Sequence, residues 1–228
     1  MHTDMPRKLM ALQTFYRIHE KTLEPVELAC KKGCSVCCTR NVTLTSLEAY
    51  YLMSHLGPDG RDAALSRIQN QAHLRHMIPS ITLNRMAEMC MNGQEPPEDE
   101  SDPSWGPCPL LQDGLCTVYE VRPLACRVMV SRAHCSDSGF ADMDEFLVAV
   151  NNVLMQYLEH IDAGSIMGNM NDLLPVFADE KHRDSYWKTG HLNLSSGRFI
   201  KNQPLTMLMV PPEHRERIQT VLRDIEKV

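Results

Sequence analysis

The chain lacks any long hydrophobic run. Its longest apolar stretches, such as 207–210 and 146–150, fall far short of the ~20 residues that a bilayer span requires, so no membrane segment is expected. A signal-peptide core is missing as well. The amino terminus, Met1-His2-Thr3-Asp4-Met5-Pro6-Arg7-Lys8, is followed by Gln13, Arg17, His19, Glu20 and Lys21, which break any apolar region, and a cytoplasmic location is expected. Positive charge is scarce too: 23 Lys and Arg stand against 29 Asp and Glu, for a net charge of -6. That balance leaves no electrostatic footprint for nucleic acid or an anionic membrane surface, and neither is expected as a partner. There is no internal repeat and no H-E-x-x-H run, which argues against a hydrolytic zinc site built from histidine and carboxylate ligands.

Cysteine is what the chain has. Of nine, eight fall in two clusters, Cys30, Cys34, Cys37 and Cys38, then Cys108, Cys116, Cys126 and Cys135. A chain of 228 residues buries a core without covalent staples, and a reducing compartment keeps thiols free. Metal ligation therefore explains the clusters better than a disulfide framework. Thiolates are soft ligands that suit zinc or iron–sulfur iron, and a spacing such as Cys34-Ser35-Val36-Cys37 lets one turn of backbone aim two sulfurs at a common centre. Gly33 supplies a residue free to take positive φ inside the first cluster. Neighbouring side chains diverge, so the pair Cys37 and Cys38 implies either two centres or one structural thiol. Eight thiolates suffice for two four-cysteine sites or for one iron–sulfur cluster with spare thiols. Cys90, in a helical segment away from both clusters, reads as a small buried hydrophobe, and the fifteen methionines read chiefly as core filling.

The surrounding pattern is helical. Leu9, Leu12, Phe15 or Tyr16 and His19 recur at helical spacing over about 6–23. After a short β-prone stretch at 41–44, Thr45-Ser46-Leu47-Glu48 forms a capping box for a helix that Gly57-Pro58 ends. A third helix from near Asp59 carries Ala64, Leu65, Ile68, Ala72 and Leu74 on one side, and a fourth spans 82–91. Four prolines and five acidic residues make 94–107 a solvated loop. Gln112-Asp113-Gly114 is a turn, and 119–127 contains a short helix interrupted by Pro123. Asp142 or Asp144 begins the most regular helix, with Phe146, Leu147, Val150, Leu154, Tyr157, Leu158 and Ile161 in one stripe and Gly164 as its stop. Residues 165–210 look irregular, with Trp187 and Phe199 as isolated anchors. A last helix opens at Pro211-Pro212 and turns Ile218, Val221, Leu222, Ile225 and Val228 to the core. The expected fold is mainly α, with helices packed around an irregular cysteine-rich metal-binding centre. A helical cysteine-cluster domain is expected over 1–163, with its motifs in 30–135, and a C-terminal extension over 164–228 packs on the same domain.

The run Cys30-x3-Cys34-x2-Cys37-Cys38, followed by Cys108-Pro109-Leu110-Leu111, Gly114-Leu115-Cys116-Thr117-Val118-Tyr119-Glu120 and Arg122-Pro123-Leu124-Ala125-Cys126-Arg127, resembles the YkgJ-like or CxxCxxCC cysteine-cluster family. The resemblance covers about 30–135 and implies zinc or iron chelation. The first gap holds three residues where the family name implies two, which ranks Cys30 below Cys34, Cys37 and Cys38 as a ligand. A similar cluster occurs in flagellin lysine methylases, so by analogy the resemblance admits a role in protein modification such as lysine methylation.

The metal ligand set expected is Cys30, Cys34, Cys37, Cys38, Cys108, Cys116, Cys126 and Cys135, holding an iron–sulfur cluster, [4Fe–4S] in type, or zinc. Arg122 and Arg127 flank Cys126 and can donate hydrogen bonds toward a negatively charged thiolate centre; an ordinary ion pair with Glu120 or another carboxylate is the competing reading. His134 beside Cys135 reads as an exposed neighbour more than a ligand, Tyr119 as packing, and Lys31 and Lys32 as solvated. The function expected is metal binding in a structural or electron-transfer role, with a protein partner admitted. Metal delivery or sensing would need exchangeable ligands such as Cys30 or Cys135. Cys30, Cys34 and Cys37 also match the spacing of radical-SAM enzymes, but the chain has too few strands for the barrel behind that motif.

Overall fold

The computed structural model describes residues 5–227; Met1 to Asp4 lie outside the described residues, and so does Val228, expected on the apolar face of the last helix. Ten α-helices and two small antiparallel sheets are described, in agreement with the mainly helical expectation.

Helix α1 (Met5–Leu23) buries Leu12, Phe15, Tyr16 and His19 along one face. An irregular loop carrying the first cysteine cluster leads to strand β1 (Thr43–Thr45) and helix α2 (Ser46–His55). The capping box forms as its sequence requires. Thr45 Oγ1 accepts from Glu48 N at 3.3 Å, and Glu48 Oε2 accepts from Thr45 N at 3.1 Å. Glu48 does more, because its Oε1 accepts from Leu124 N at 2.7 Å and from the Tyr16 hydroxyl at 3.4 Å.

Helix α3 (Pro58–Asn70) buries Ala64 and Ile68, whereas Ala72 and Leu74, expected on the same face, lie beyond its end and are exposed. Helix α4 (Leu83–Met91) is capped by Thr82 and buries Asn84 and Ala87. Cys90 corrects the expectation of a buried residue. It is exposed together with Met91, because the last turn of α4 reaches past the core. The methionines also divide: Met5, Met53 and Met170 are buried, while Met10, Met91 and Met129 are exposed.

The loop 94–107 is irregular apart from one 3-10 turn at Pro103–Trp105. A hairpin of β2 (Leu111–Gln112) and β3 (Leu115–Cys116) follows, and positive φ at both Asp113 and Gly114 marks the turn type that matches strand twist. Pro123 separates a 3-10 turn at Tyr119–Val121 from the one-turn helix α5 (Leu124–Arg127). Another single turn, α6 (Cys135–Ser138), precedes α7 (Glu145–Ile161), whose N-cap Asp144 accepts from Phe146 N and Leu147 N. Leu147, Val150, Leu154 and Leu158 form its buried stripe.

The irregularity expected over 165–210 is corrected. Strand β4 (Ile166–Asn169), helices α8 (Met170–Ala178) and α9 (Glu180–Thr189) and strand β5 (Phe199–Lys201) occupy it, before α10 (Arg215–Ile225). Two physical reasons hid them. β4 is the central strand of the sheet β1-β4-β5, buried on both faces, so its residues do not alternate. α8 buries Met170, Leu173, Leu174 and Phe177 at helical spacing but holds Pro175 inside, a residue that reads as a breaker. Trp187, expected as an isolated anchor, is partly exposed and stacks on Tyr50, with ring centroids 6.1 Å apart. In α10, Ile218, Val221 and Ile225 are buried. The C-terminal elements join the same apolar core as α1 and α2, through Phe177, Tyr186 and Ile218.

Gly168 sits where the sheet is tightest, opposite Leu44 on one side and Phe199 on the other. A Cβ there would lie 2.6 Å from Phe199 Cδ1 and 3.1 Å from the Arg198 carbonyl oxygen. Gly168→Ala is expected to lower stability by about 1–3 kcal/mol, read as a lower urea midpoint at unchanged m-value.

Asp162 is wholly buried and accepts from Leu47 N at 3.2 Å, Asn202 Nδ2 at 3.0 Å and the Tyr186 hydroxyl at 2.5 Å, with Lys8 Nζ 3.4 Å away. Burial pushes its carboxyl up to about 7, against the pull of Lys8 and these hydrogen bonds. As pH rises, the unfolded chain releases this proton near its ordinary value of about 4, while the folded chain holds it until about 7. The contribution of Asp162 to stability therefore falls between those values and levels off above them. Urea midpoints measured across that range should decline less steeply for Asp162→Asn than for the unmodified chain.

Candidate metal centre

The loop between α1 and β1 is shaped by local hydrogen bonds. Gly33 adopts φ +94°, as its place in the cluster requires, and Cys34 N donates to Lys31 O at 2.8 Å. A second turn closes with Cys38 N on Ser35 O at 3.0 Å and Thr39 N on Cys37 O at 2.9 Å. Behind it, the Arg40 carbonyl accepts from the side chains of both Asn169 and Asn171, at 2.9 and 3.0 Å. Thus β4 and α8, distant in sequence, anchor the chain just after Cys38.

Backbone pairing brings the two clusters together at two places. Cys108 N donates to Cys38 O at 2.9 Å, beside the antiparallel bridge of Thr39 with Pro107. On the other side, Ala29 N donates to Ser131 O at 2.9 Å. The β2–β3 hairpin sets Cys116 opposite Leu111, and Leu111 N in turn donates to Cys108 O at 3.0 Å. Cys126 is held through the bond from Leu124 N to Glu48, at the start of its own helical turn.

The result is a cavity of about 270 Å³ lined by Cys30, Cys34, Cys37, Cys38, Cys108, Cys116 and Cys126. Cys135 does not line it, yet lies near enough to Cys30 to act on that thiol electrostatically. All nine cysteines are free thiols, the form a metal ligand must start from. Cys34 is exposed. Cys108 and Cys126 keep accessible surface that opens onto the cavity, while the atoms packed around them push both thiols up, Cys108 to about 11 and Cys126 further. Burial also raises Cys30 and Cys116. Cys37 and Cys38 form a hydrogen-bonded pair, which pulls Cys37 down to about 6 and drives Cys38 up.

The arginines differ in what they touch. Arg122 lies over the Tyr119 ring at 3.7 Å, lines the cavity, and its positive charge favours the thiolates of Cys37, Cys116 and Cys126. Arg127 also borders the cavity but is occupied elsewhere. It donates to Glu20 Oε1 at 2.9 Å, Arg122 O at 2.9 Å and Glu120 O at 2.7 Å, and stacks on Tyr16 at 4.1 Å. It clasps the loop that presents Arg122 and Cys126. His134 is exposed, as are Lys31 and Lys32.

One residue escaped the sequence reading. His19 was grouped with the apolar face of α1, but it lines the thiol cavity, is 1% exposed, and its Nε2 has no hydrogen-bond partner. Burial lowers its pKa to about 4, helped by Arg127 and Arg122, which keeps the imidazole neutral and able to ligate. The signal was available: a polar residue on the apolar face of the helix that delivers the chain to the cysteines. Among the described residues, Glu145, Glu213 and His214 form the only trio of candidate ligand atoms that all lie within 4.8 Å of one another. Soft donors in excess, a cavity among them and a cation beside it fit a thiolate-bound metal group.

Helices that frame a cavity lined by seven cysteines define a cysteine-cluster metal-binding domain. The family model CxxCxxCC, described as a putative zinc- or iron-chelating domain, matches residues 29–146; that is more than half of the chain, which belongs to this family. No curated protein matches the chain, and no solved structure does. Among the described residues, no helix is long and apolar enough to cross a membrane.

Removing the charge at Arg122 should raise the thiol pKa values it lowers. Alkylation of the metal-free protein by iodoacetamide at neutral pH is expected to slow a few-fold in Arg122→Gln and to stay unchanged in Lys32→Gln, with modified cysteines identified by mass spectrometry.

Proposed function

We propose that this protein holds an iron–sulfur cluster, [4Fe–4S] in type, on its cysteine thiolates, in a structural or electron-transfer role. The observation that carries this reading is the gathering of seven thiols around one cavity of about 270 Å³ with the Arg122 side chain on its wall. A cubane cluster is larger than a single zinc ion on four thiolates, and a roomy thiol-lined cavity with a cation on its wall suits it. Cluster plus thiolates is an anionic assembly, and Arg122 at the cavity supplies compensating charge. When bound, such a group exchanges single electrons at a potential tuned by its surroundings.

The mouth of the cavity supports a partner in that role. Leu115, Tyr119 and Met129 line it and remain exposed, and Lys31 and Lys32 stand beside them. An apolar patch with a basic edge suits transient docking of an acidic protein surface.

Anaerobic purification tests the assignment. A brown protein with a broad band at about 400 nm and matching iron and acid-labile sulfide is expected. A colourless protein that releases zinc would replace the cluster by zinc on the same thiolates. Protein that takes up neither and forms specific disulfides would overturn metal binding altogether.

A further inference from the structure

We infer that Arg40 is the buried counter-charge of the metal–thiolate group, a permanent cation set behind Cys38 and Cys108 that favours the loaded centre and raises its reduction potential. The inference rests on the metal–thiolate reading above and adds to it a residue that is not itself a ligand.

Two arginines are buried among the described residues, Arg127 and Arg40. Arg127 pairs with Glu20 at 2.9 Å. Arg40 is 2% exposed, and among the described residues no carboxylate pairs with it. Its Nη2 donates to Gln71 Oε1 at 2.7 Å and, at 3.5 Å, to the Pro107 carbonyl oxygen, while its Nε has no hydrogen-bond partner. A guanidinium cannot shed its proton to escape such surroundings. A charge taken out of water without an opposite charge beside it is costly, so the metal-free chain carries this cation uncompensated.

Its placement names the compensating charge. The Pro107 carbonyl that Arg40 touches belongs to the peptide bond of Cys108, and Cys108 N donates to Cys38 O at 2.9 Å. Arg40 N donates to Gly106 O at 3.2 Å, next to the bridge of Thr39 with Pro107. Arg40 is therefore two residues from Cys38 along the chain and one peptide from Cys108 in space. Both thiols line the cavity and Arg40 does not, so its charge acts from behind the wall, where salt screens it little. Gly106 makes the room. It takes φ +122°, and a Cβ there would lie 3.3 Å from Arg40 Nη2 and 3.4 Å from Nε. Four thiolates on a zinc ion or on a cubane form an anionic assembly; loading supplies the negative charge that the fold withholds from Arg40.

The test uses the full chain, kept reduced and anaerobic, loaded with zinc in one arm and reconstituted with ferrous iron and sulfide in the other. Gln71→Glu keeps the bond to Arg40 and gives the cation a carboxylate of its own. It should raise the urea midpoint of the metal-free chain, weaken zinc binding about 10–100-fold in competition with a chromophoric chelator, and lower the reduction potential of the cluster. Arg40→Gln should weaken zinc binding and lower the potential to a similar extent. Arg40→Lys, which keeps the charge but not the planar fork, should restore most of both. Affinity and potential unchanged in Gln71→Glu or in Arg40→Gln, or losses in Arg40→Lys as large as in Arg40→Gln, would overturn the counter-charge while leaving metal binding intact. A wild-type chain that takes up neither zinc nor cluster overturns both readings. Where only one arm loads, that arm decides, and should Arg40→Gln fail to fold by circular dichroism, Gln71→Glu decides by itself.

Discussion

A single buried carboxylate holds the framework on which the cysteine centre rests. Glu48 is 3% exposed and accepts hydrogen bonds from Thr45 N, the Thr45 hydroxyl, Leu124 N and the Tyr16 hydroxyl. Burying such a group is costly, and its pKa is pushed up accordingly. Four donors offset that cost, at roughly 1.5–3 kcal/mol for each bond to a charged group. Because the donors come from α1, from the start of α2 and from the turn carrying Cys126, the bonds place three separate parts of the chain relative to one another. The capping box is a local motif; here it becomes a tertiary one.

Around that anchor the cysteine centre is built from loops, and loops need fixing from outside. Asn169 and Asn171 hold the Arg40 carbonyl, Arg127 grips the carbonyls of Glu120 and Arg122, and Leu110 and Leu124, between the cysteines of the second cluster, are fully buried. The helices supply rigidity, while the irregular segments supply the freedom to turn many sulfurs inward.

Much of this was legible in the sequence, for reasons that differ by element. The capping box at Thr45, the Asp113-Gly114 turn and the break at Pro123 are local chemistry, and all three occur. The stripe of α7 is a one-sided helix, the easiest pattern to read. β4 escaped because burial on both faces erases alternation, and α8 because Pro175 inside it reads as a helix breaker. Cys90 was misplaced because helical spacing says which residues share a face but not where the core ends. At the centre, cysteine spacing named candidate ligands, seven of which line one cavity, but not how the fold joins their segments, since partners such as Ala29 and Ser131 meet only in the folded chain. His19 was missed because a buried histidine on an apolar face looks like any other core residue until its nitrogen is found unpaired.

The pairing of Ala29 with Ser131 also orders events in time. During synthesis the first four thiols leave the ribosome about a hundred residues ahead of Cys135, which at 5–20 residues per second is several seconds or more. Until Cys108 follows they have only one another, the condition in which thiols are open to oxidation and to capture of the wrong metal. β4 and α8, which brace the chain after Cys38, emerge later still. A site that draws on both clusters is therefore complete only after the segments that brace it have emerged.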